Sequence, residues 1–282
     1  MRSKSPLYYV QRFFFYLLVV FIIVYSVFPF YWAVVSSFKP SSELFNANPS
    51  FLPVPFTLVH YNAVFGNNNF LRNLWNSLVV AGGATLISLL LGIAAAYALG
   101  RLRFPPKNWI LYLVLAMTMF PQVSVLSGLF VLLRETGLFN SYAGLILSYL
   151  LFTLPFTVWV LTGYFRGLPR ELEEAAYVDG ATPLQTLIQV MLPLCGPGLV
   201  TTGLLAFIAA WNEYLFALTF TIGERAKTVP VAIAQFGGAS AFEVPWGAIM
   251  AASVVVTVPL VILVLVFQQR IVAGLTAGAV KG

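Results

Sequence analysis

The sequence has few of the residues on which soluble proteins and metalloenzymes depend. Only 9% of its 282 residues are charged and 60% are hydrophobic, whereas about 25% are charged in an ordinary soluble domain. So few charges cannot cover a water-facing surface, which argues against a soluble enzyme and a nucleic-acid-binding domain. The single cysteine, Cys195, excludes an intrachain disulfide and a CxxC pair, and the single histidine, His60, excludes a multi-histidine metal site.

In place of charge the chain has six long apolar segments. Each can cross a hydrocarbon core of about 30 Å as a helix, and their continuous rather than alternating pattern favours helices over a barrel. The sequence therefore predicts an all-α polytopic membrane protein with a single transmembrane domain over residues 1–282. We expect the first segment to remain as an uncleaved span, because its apolar run is too long for a signal peptide and no clear cleavage site ends it. The segments are 12–36, 74–99, 109–133, 143–166, 198–222 and 246–269.

The basic residues predict how these spans are oriented. Placing the N-terminus inside puts ten basic residues on the cytoplasmic side and five on the outer side, as the positive-inside rule requires. Three of the ten lie in one very short loop, where the rule is most reliable. We therefore expect both termini in the cytoplasm. The inner set is Arg2, Lys4, Arg12, Arg101, Arg103, Lys107, Arg166, Arg170, Arg270 and Lys281, and the outer set is Lys39, Arg72, Arg134, Arg225 and Lys227.

The inner loop at 167–197 is the only polar island of the chain, and it carries four of the nine acidic residues. Its local signals predict two short helices. Glu171 and its neighbours suit the positive end of a first helix, which Gly180 is placed to end. Thr182 suits the N-cap of a second helix with Pro183 at its first position. A mostly acidic face is disfavoured beside anionic lipid, so a protein partner is favoured over an amphipathic loop lying on the membrane.

The island also carries a spaced motif. Glu174-Ala175-Ala176 is followed after three residues by Gly180, and Val190 precedes Leu192-Pro193. This resembles the EAA signature of ABC importer permeases, with valine in place of isoleucine at position 190. The resemblance extends over nearly the whole chain, and Asn212 and the C-terminal sequence are similar to the carbohydrate-uptake branch, in particular to the smaller permease subunit of maltose- and trehalose-type importers.

The resemblance implies a type I ABC importer permease fold in the bacterial inner membrane. It implies four kinds of partner besides lipid: a second, different permease, an ATPase dimer, an extracytoplasmic sugar-binding protein and a transported sugar. The island would form coupling helices that dock on the ATPase, with Glu174 as the main polar contact. The chain itself would bind no cofactor, since it has no G-x-x-x-x-G-K-[ST] phosphate loop; ATP and Mg would be used by the ATPase.

The resemblance gives a role to the C-terminal tail, residues 270–282, as well. The tail would reach between the two ATPase subunits, and its small residues suit a narrow crevice. The alternative is a disordered terminus. The candidate residues are Gly274, Leu275, Thr276 and Lys281.

The fifth segment contains the only convincing intramembrane charge, Glu213, within Trp211-Asn212-Glu213-Tyr214. Intramembrane acids normally face a cavity or a partner. Glu213 could line the translocation path with Trp211 stacked on a sugar, or make a structural contact to the partner permease. The sequence leaves both open.

The third outer loop, at 223–245, contains Gln235, Phe236, Gly237 and Gly238. It resembles the loop that enters the binding protein's sugar cleft in maltose-type importers. The two glycines suit entry into a narrow cleft.

Taken together, these features predict a transport subunit, not an enzyme. It would move a sugar, a disaccharide such as trehalose or maltose, into the cytoplasm by alternating access. The alternative is a secondary transporter or channel for a small polar solute. That class needs coupling ionisable groups in the membrane or inverted repeats, and the sequence offers Glu213 alone and no repeat.

Overall fold

The structure is a computed structural model that describes residues 6–66, 68–237 and 244–277. Over those ranges the only regular secondary structure is helical. The helices are α1 (Pro6–Ser37), α2 (Ser41–Leu44), α3 (Val59–Gly66), α4 (Asn68–Arg101), α5 (Lys107–Thr118), α6 (Leu126–Glu135), α7 (Tyr142–Gly167), α8 (Glu171–Val178), α9 (Pro183–Gln185), α10 (Leu192–Leu194), α11 (Gly196–Trp211), α12 (Leu215–Phe220), α13 (Val229–Ala234) and α14 (Trp246–Ala277), with a 3-10 turn at Gln122–Val125 and a π-helical stretch at Thr186–Met191.

Four helices are long and apolar enough to cross a membrane: α1, α4, α7 and α14. They coincide with the first, second, fourth and sixth predicted segments. Two further spans are obtained if each of two sharply bent helix pairs is counted as one. The all-helical prediction is thus confirmed for the described residues, with four to six candidate spans.

The third predicted segment, 109–133, is not one straight helix. Helix α5 and the helical stretch Gln122–Glu135 meet at an angle of 96°. Pro121 lies at the break with an extended backbone (φ −68°, ψ 122°), because a proline has no N–H to continue the helical hydrogen bonds.

The fifth predicted segment, 198–222, also differs from a single helix. Helix α11 ends at Trp211, and α12 begins only at Leu215. The helical stretch Pro183–Leu194 before α11 is bent by 80° against it.

The first of two compact units comprises the described residues of Met1–Asn68 and Gln235–Val258. Helix α1 exposes its apolar side chains, as a lipid-facing helix does.

Near the end of α1, Lys39 is only 2% exposed. Its ammonium donates to the Ser50 carbonyl and lies 4.7 Å from the Trp32 ring centroid, and the carbonyl and ring face take the place of water around the cation. His60 Nε2 lies 2.9 Å from the Lys39 carbonyl oxygen.

The second unit comprises Asn69–Ala234 and the described residues of Pro259–Gly282. Helix α7 is its central element and packs against α5, α11 and α12. Hydroxyl groups are buried along α7 because each donates to the carbonyl one turn before it. Thr153 shows the pattern: it bonds the Tyr149 carbonyl at 2.9 Å and also meets Ser88 of α4 at 2.6 Å.

Candidate functional site

The polar island begins with helix α8, and its end has the predicted geometry. Gly180 has φ +82°, a left-handed conformation that glycine adopts without strain. The Gly180 N–H donates to the Tyr177 carbonyl at 3.1 Å, and the Ala181 N–H donates to the Ala176 carbonyl at 2.9 Å. This is a Schellman motif, in which the last carbonyls of the helix are satisfied.

The second helix of the island begins at the predicted cap. The Thr182 hydroxyl accepts from the Gln185 N–H, and the Gln185 side-chain oxygen accepts from the Thr182 N–H, which together form a capping box. Pro183 occupies the first helical turn, as expected. The helix then widens into the π-helical stretch Thr186–Met191, a feature that is frequent at functional sites.

This second helix is anchored to the membrane helices by its apolar face. Leu187 and Met191 are buried in one cluster with Tyr97 of α4 and Phe165 of α7. Each buried side chain of this size contributes about 1.5–3 kcal/mol. The island is therefore packed onto the ends of α4 and α7.

A buried arginine fixes the first helix to the same place. The Arg101 Nε donates to Glu173 Oε2 at 2.8 Å, and the side chains are only 4% and 11% exposed. The other guanidinium nitrogens donate to the carbonyls of Phe165, Leu168 and Pro169 at 2.9–3.2 Å. One side chain thus joins the end of α4, the end of α7 and helix α8.

The signature residues divide between the packed and the open side of the island. Ala176 is buried, whereas Glu174 and Ala175 are exposed. Within the described residues the Glu174 carboxylate has no hydrogen-bond or ion-pair partner. The others divide similarly: Val190 and Leu192 are half-buried, and Gly180 and Pro193 are exposed.

Large apolar side chains are exposed on the same island. Val178 is 88% exposed, Leu184 is 64% exposed and Ile188 is 53% exposed. An exposed acid among exposed apolar side chains on a rigidly held helix pair suits contact with another protein, because burying those side chains would be favourable.

The candidate substrate-path residues differ in how exposed they are. Trp211 is 4% exposed and Glu213 is 7% exposed, whereas Tyr214 is 40% exposed. The Glu213 carboxylate accepts from the Phe216 N–H at 2.7 Å and the Ala217 N–H at 3.1 Å. It therefore caps the first turn of α12 from within the chain, beside the exposed Asn212.

The outer-loop candidates follow the short helix α13, which ends at Ala234. Gln235 and Gly237 are exposed and Phe236 is half-buried. Gly238 lies outside the described residues.

The C-terminal candidates lie in a helix as far as the structure describes them. Gly274, Leu275 and Thr276 continue α14, which runs to Ala277. Lys281 lies outside the described residues.

The part of the chain that the structure describes contains no group of three His, Cys, Asp or Glu side chains that could hold a metal ion. Cys195 is a free, buried thiol. The described side chains therefore offer neither a metal centre nor a thiol open to solvent.

Arg101 and Glu173 were not predicted as site residues, although Arg101 joins Glu173 and three carbonyls in one polar contact. The sequence did contain a signal that Glu173 is buried. Glu173 and Ala176 are three residues apart on α8 and so share a face, and both are buried. Recognising that face as the packed one would have separated Glu173 from the exposed Glu171 and Glu174.

Long apolar helices and a polar helix pair packed on their ends define a multi-pass membrane protein. Residues 88–276 match the family described as binding-protein-dependent transport system inner membrane component. The chain belongs to this family. It is a transport subunit of the inner membrane.

Curated relatives match almost end to end. The chain is 45% identical over 258 residues to the trehalose transport system permease protein SugB of Mycobacterium tuberculosis, covering 92% of this chain and 93% of that protein. It is 45% identical over 262 residues to the trehalose/maltose transport system permease protein MalG of Thermococcus litoralis, covering 90% and 91%. The sulfoquinovosyl glycerol transport system permease protein SmoH of Agrobacterium fabrum is 41% identical over 261 residues, covering 93% and 91%.

A solved structure shares the fold. A chain of a bacterial ABC transporter that imports the acidic polysaccharide alginate superimposes with a TM-score of 0.82 at 21% identity, covering 95% of this chain and 99% of that chain. At that identity the match shows the fold alone.

Proposed function

We propose that this chain is a permease subunit of an ATP-driven importer that moves a sugar, a disaccharide such as trehalose or maltose, into the cytoplasm by alternating access. The substrate class is supported by the relatives named for trehalose and maltose transport, each 45% identical over at least 90% of this chain.

One observation carries the coupling part of the proposal. The island presents the exposed Glu174 on a helix pair that Arg101 ties to the ends of α4 and α7. A contact made at Glu174 is thereby connected to two membrane helices through a buried ion pair and several hydrogen bonds. Movement of a docked ATPase would be passed to those helices. The sugar path of the importer would then change from being open on one side of the membrane to being open on the other.

The family also supports the remaining partners that we propose. The importer would contain an ATPase dimer that uses ATP and Mg, an extracytoplasmic sugar-binding protein and a second, different permease. Both termini would lie in the cytoplasm, with the loop at 167–197 facing the ATPase and the loop at 235–238 facing the binding protein. Six spans would form one permease domain. The tail from residue 270 would approach the ATPase, and its residues up to Ala277 belong to α14.

The sugar path would run beside the break between α11 and α12. The exposed Tyr214 and Asn212 are the candidates to face it. Trp211 and Glu213 would support this wall from behind, since both are buried.

The test compares Glu174→Gln with Glu171→Gln in the co-purified importer. Both variants neutralise one exposed glutamate of α8, but only Glu174 belongs to the signature. In proteoliposomes we expect Glu174→Gln to abolish most disaccharide uptake while the complex still assembles, and Glu171→Gln to transport normally.

Two results would contradict the proposal. Unchanged uptake in Glu174→Gln would remove the coupling role. Purification of the chain without an ATPase, or ATP hydrolysis that no sugar on a disaccharide panel stimulates, would remove the sugar-importer assignment.

A further inference from the structure

A cavity of about 360 Å³ opens beside the island, at the place where three membrane helices begin or end. Arg101 is the last residue of α4, Lys107 is the first of α5, and Arg166 lies in the last turn of α7. Arg170 precedes α8 and completes the set. The lining contains these four cations and Asn108, and none of its residues is acidic.

Most of this positive charge is not neutralised. Glu173 is paired with Arg101, so four cations less one anion leave three positive charges. Lys107 and Arg166 donate to backbone carbonyls at 3.3 Å, which carry no charge. Within the described residues the Arg170 guanidinium has no hydrogen-bond or ion-pair partner. Such a concentration of cations around a cavity attracts an anion.

The position of the cavity indicates where the anion comes from. The ends of membrane helices lie at the depth of the lipid headgroups, where anionic lipids are concentrated. Exposed apolar side chains are neighbours of the lining residues in the sequence: Leu102, next to Arg101, is 39% exposed, and Trp109 and Ile110, which follow Asn108, are 78% and 41% exposed. Tryptophan favours this interfacial depth, and an apolar border suits the glycerol and acyl part of a lipid.

We propose that this cavity binds the phosphate headgroup of an anionic phospholipid. The arginine and lysine side chains hold the phosphate through charge-assisted hydrogen bonds. The border at Leu102, Trp109 and Ile110 contacts the apolar part of the same molecule. The bound lipid sits between α5 and the first turn of the island. The inference requires only that the chain lies in a membrane and is independent of the sugar.

The test uses the reporter next to the site, Trp109. The co-purified complex is placed in nanodiscs of phosphatidylcholine with increasing brominated phosphatidylglycerol, and separately with brominated phosphatidylcholine. The contribution of Trp109 is obtained by subtracting the fluorescence quenching of Trp109→Phe from that of the wild-type chain. We expect stronger quenching by the anionic lipid, and an apparent affinity that falls about fivefold in either Lys107→Gln or Arg170→Gln.

Arg103→Gln is the matched control, because Arg103 is an exposed neighbour outside the lining. We expect it to lose much less affinity. Equal losses in Arg103→Gln and Arg170→Gln would overturn the site in favour of diffuse attraction, and equal quenching by the two lipids would overturn anion binding. Saturable binding of inorganic phosphate in pure phosphatidylcholine, lost in Arg170→Gln, would overturn the lipid in favour of a soluble anion.

Discussion

Arg101 and Glu173 form a buried ion pair, with 2.8 Å between Nε and Oε2, that connects residues 72 positions apart. Glu173 has one partner in this contact, whereas Arg101 also donates to three carbonyls. The pair is therefore asymmetric. Removing the arginine leaves a buried carboxylate and several carbonyls without donors, while removing the carboxylate leaves the arginine partly satisfied.

This asymmetry predicts unequal effects of two neutralising changes. Arg101→Gln should lower the stability of the complex by about 3–5 kcal/mol, and Glu173→Gln by about 1–3 kcal/mol. Thermal unfolding of the detergent-solubilised complex measures both. The exposed Arg103→Gln should leave the midpoint unchanged, and a loss in Arg103→Gln as large as that in Arg101→Gln would show that the buried contact is not the cause.

A substitution at Gly180 tests whether the turn between the two island helices needs a left-handed residue. A Cβ at this position would meet no atom within 4 Å, but φ is +82°, so Gly180→Ala introduces backbone strain alone. The cost is about 1–2 kcal/mol, and hydrogen exchange of the α8 amides should accelerate roughly 5–30-fold. Gly167→Ala is the control, since Gly167 has equal space and no left-handed backbone. Equal exchange in the two variants would be evidence against a strained turn.

A substitution at Glu213 distinguishes a structural role of this residue from a role in sugar contact. Because its carboxylate accepts from two α12 amides, Glu213→Gln should lower stability by about 1.5–3 kcal/mol and leave the KM for the sugar unchanged. Thermal unfolding and uptake kinetics provide the two readouts. Asn212→Ala should destabilise less, because the exposed Asn212 side chain donates only to the Ile208 carbonyl at 2.9 Å. A stable Glu213→Gln protein with a raised KM would instead place Glu213 in the sugar path.

Glu224 makes a pH-dependent contribution outside the spans. The hydrogen bond from Lys227 at 2.6 Å, opposed by burial and joined by a bond from Asn73, holds the pKa of Glu224 below its ordinary value. A lowered pKa stabilises the fold above the ordinary carboxyl pKa, and this contribution is lost as the pH falls through the lowered value.

Glu224→Gln should therefore cost about 0.5 kcal/mol near neutral pH, a small amount because the contact is partly exposed. The difference from the wild-type chain should vanish in acid. Thermal midpoints across the acid range measure it, with the exposed Glu135→Gln as control. A difference that persists at low pH would rule out the ionised carboxylate as its source.

The features that the sequence predicted correctly depend on short stretches of chain. Gly180 ends α8 with a left-handed residue, and Thr182 and Pro183 begin the next helix. Each signal acts through the backbone groups of its own few neighbours. Four apolar segments became continuous helices for the same reason, since length and hydropathy are local properties.

The sequence could predict only in part that the third segment is bent. The third segment contains Pro121, and the structure has a 96° bend at that position. A proline removes one hydrogen bond wherever it lies. The size of the bend depends on what packs around it, which the local sequence does not specify.

By itself, the sequence determined that this chain is a helical membrane protein, about where its four long apolar helices lie, where the two island helices meet, and which family it resembles. Composition and local backbone chemistry decide those properties. Only the tertiary structure decided that Glu173 is buried against Arg101 while Glu174 is exposed, that Glu213 caps α12, and that four cations surround one cavity. These facts required distant segments to meet, because the environment of a charge is set by all the elements packed around it.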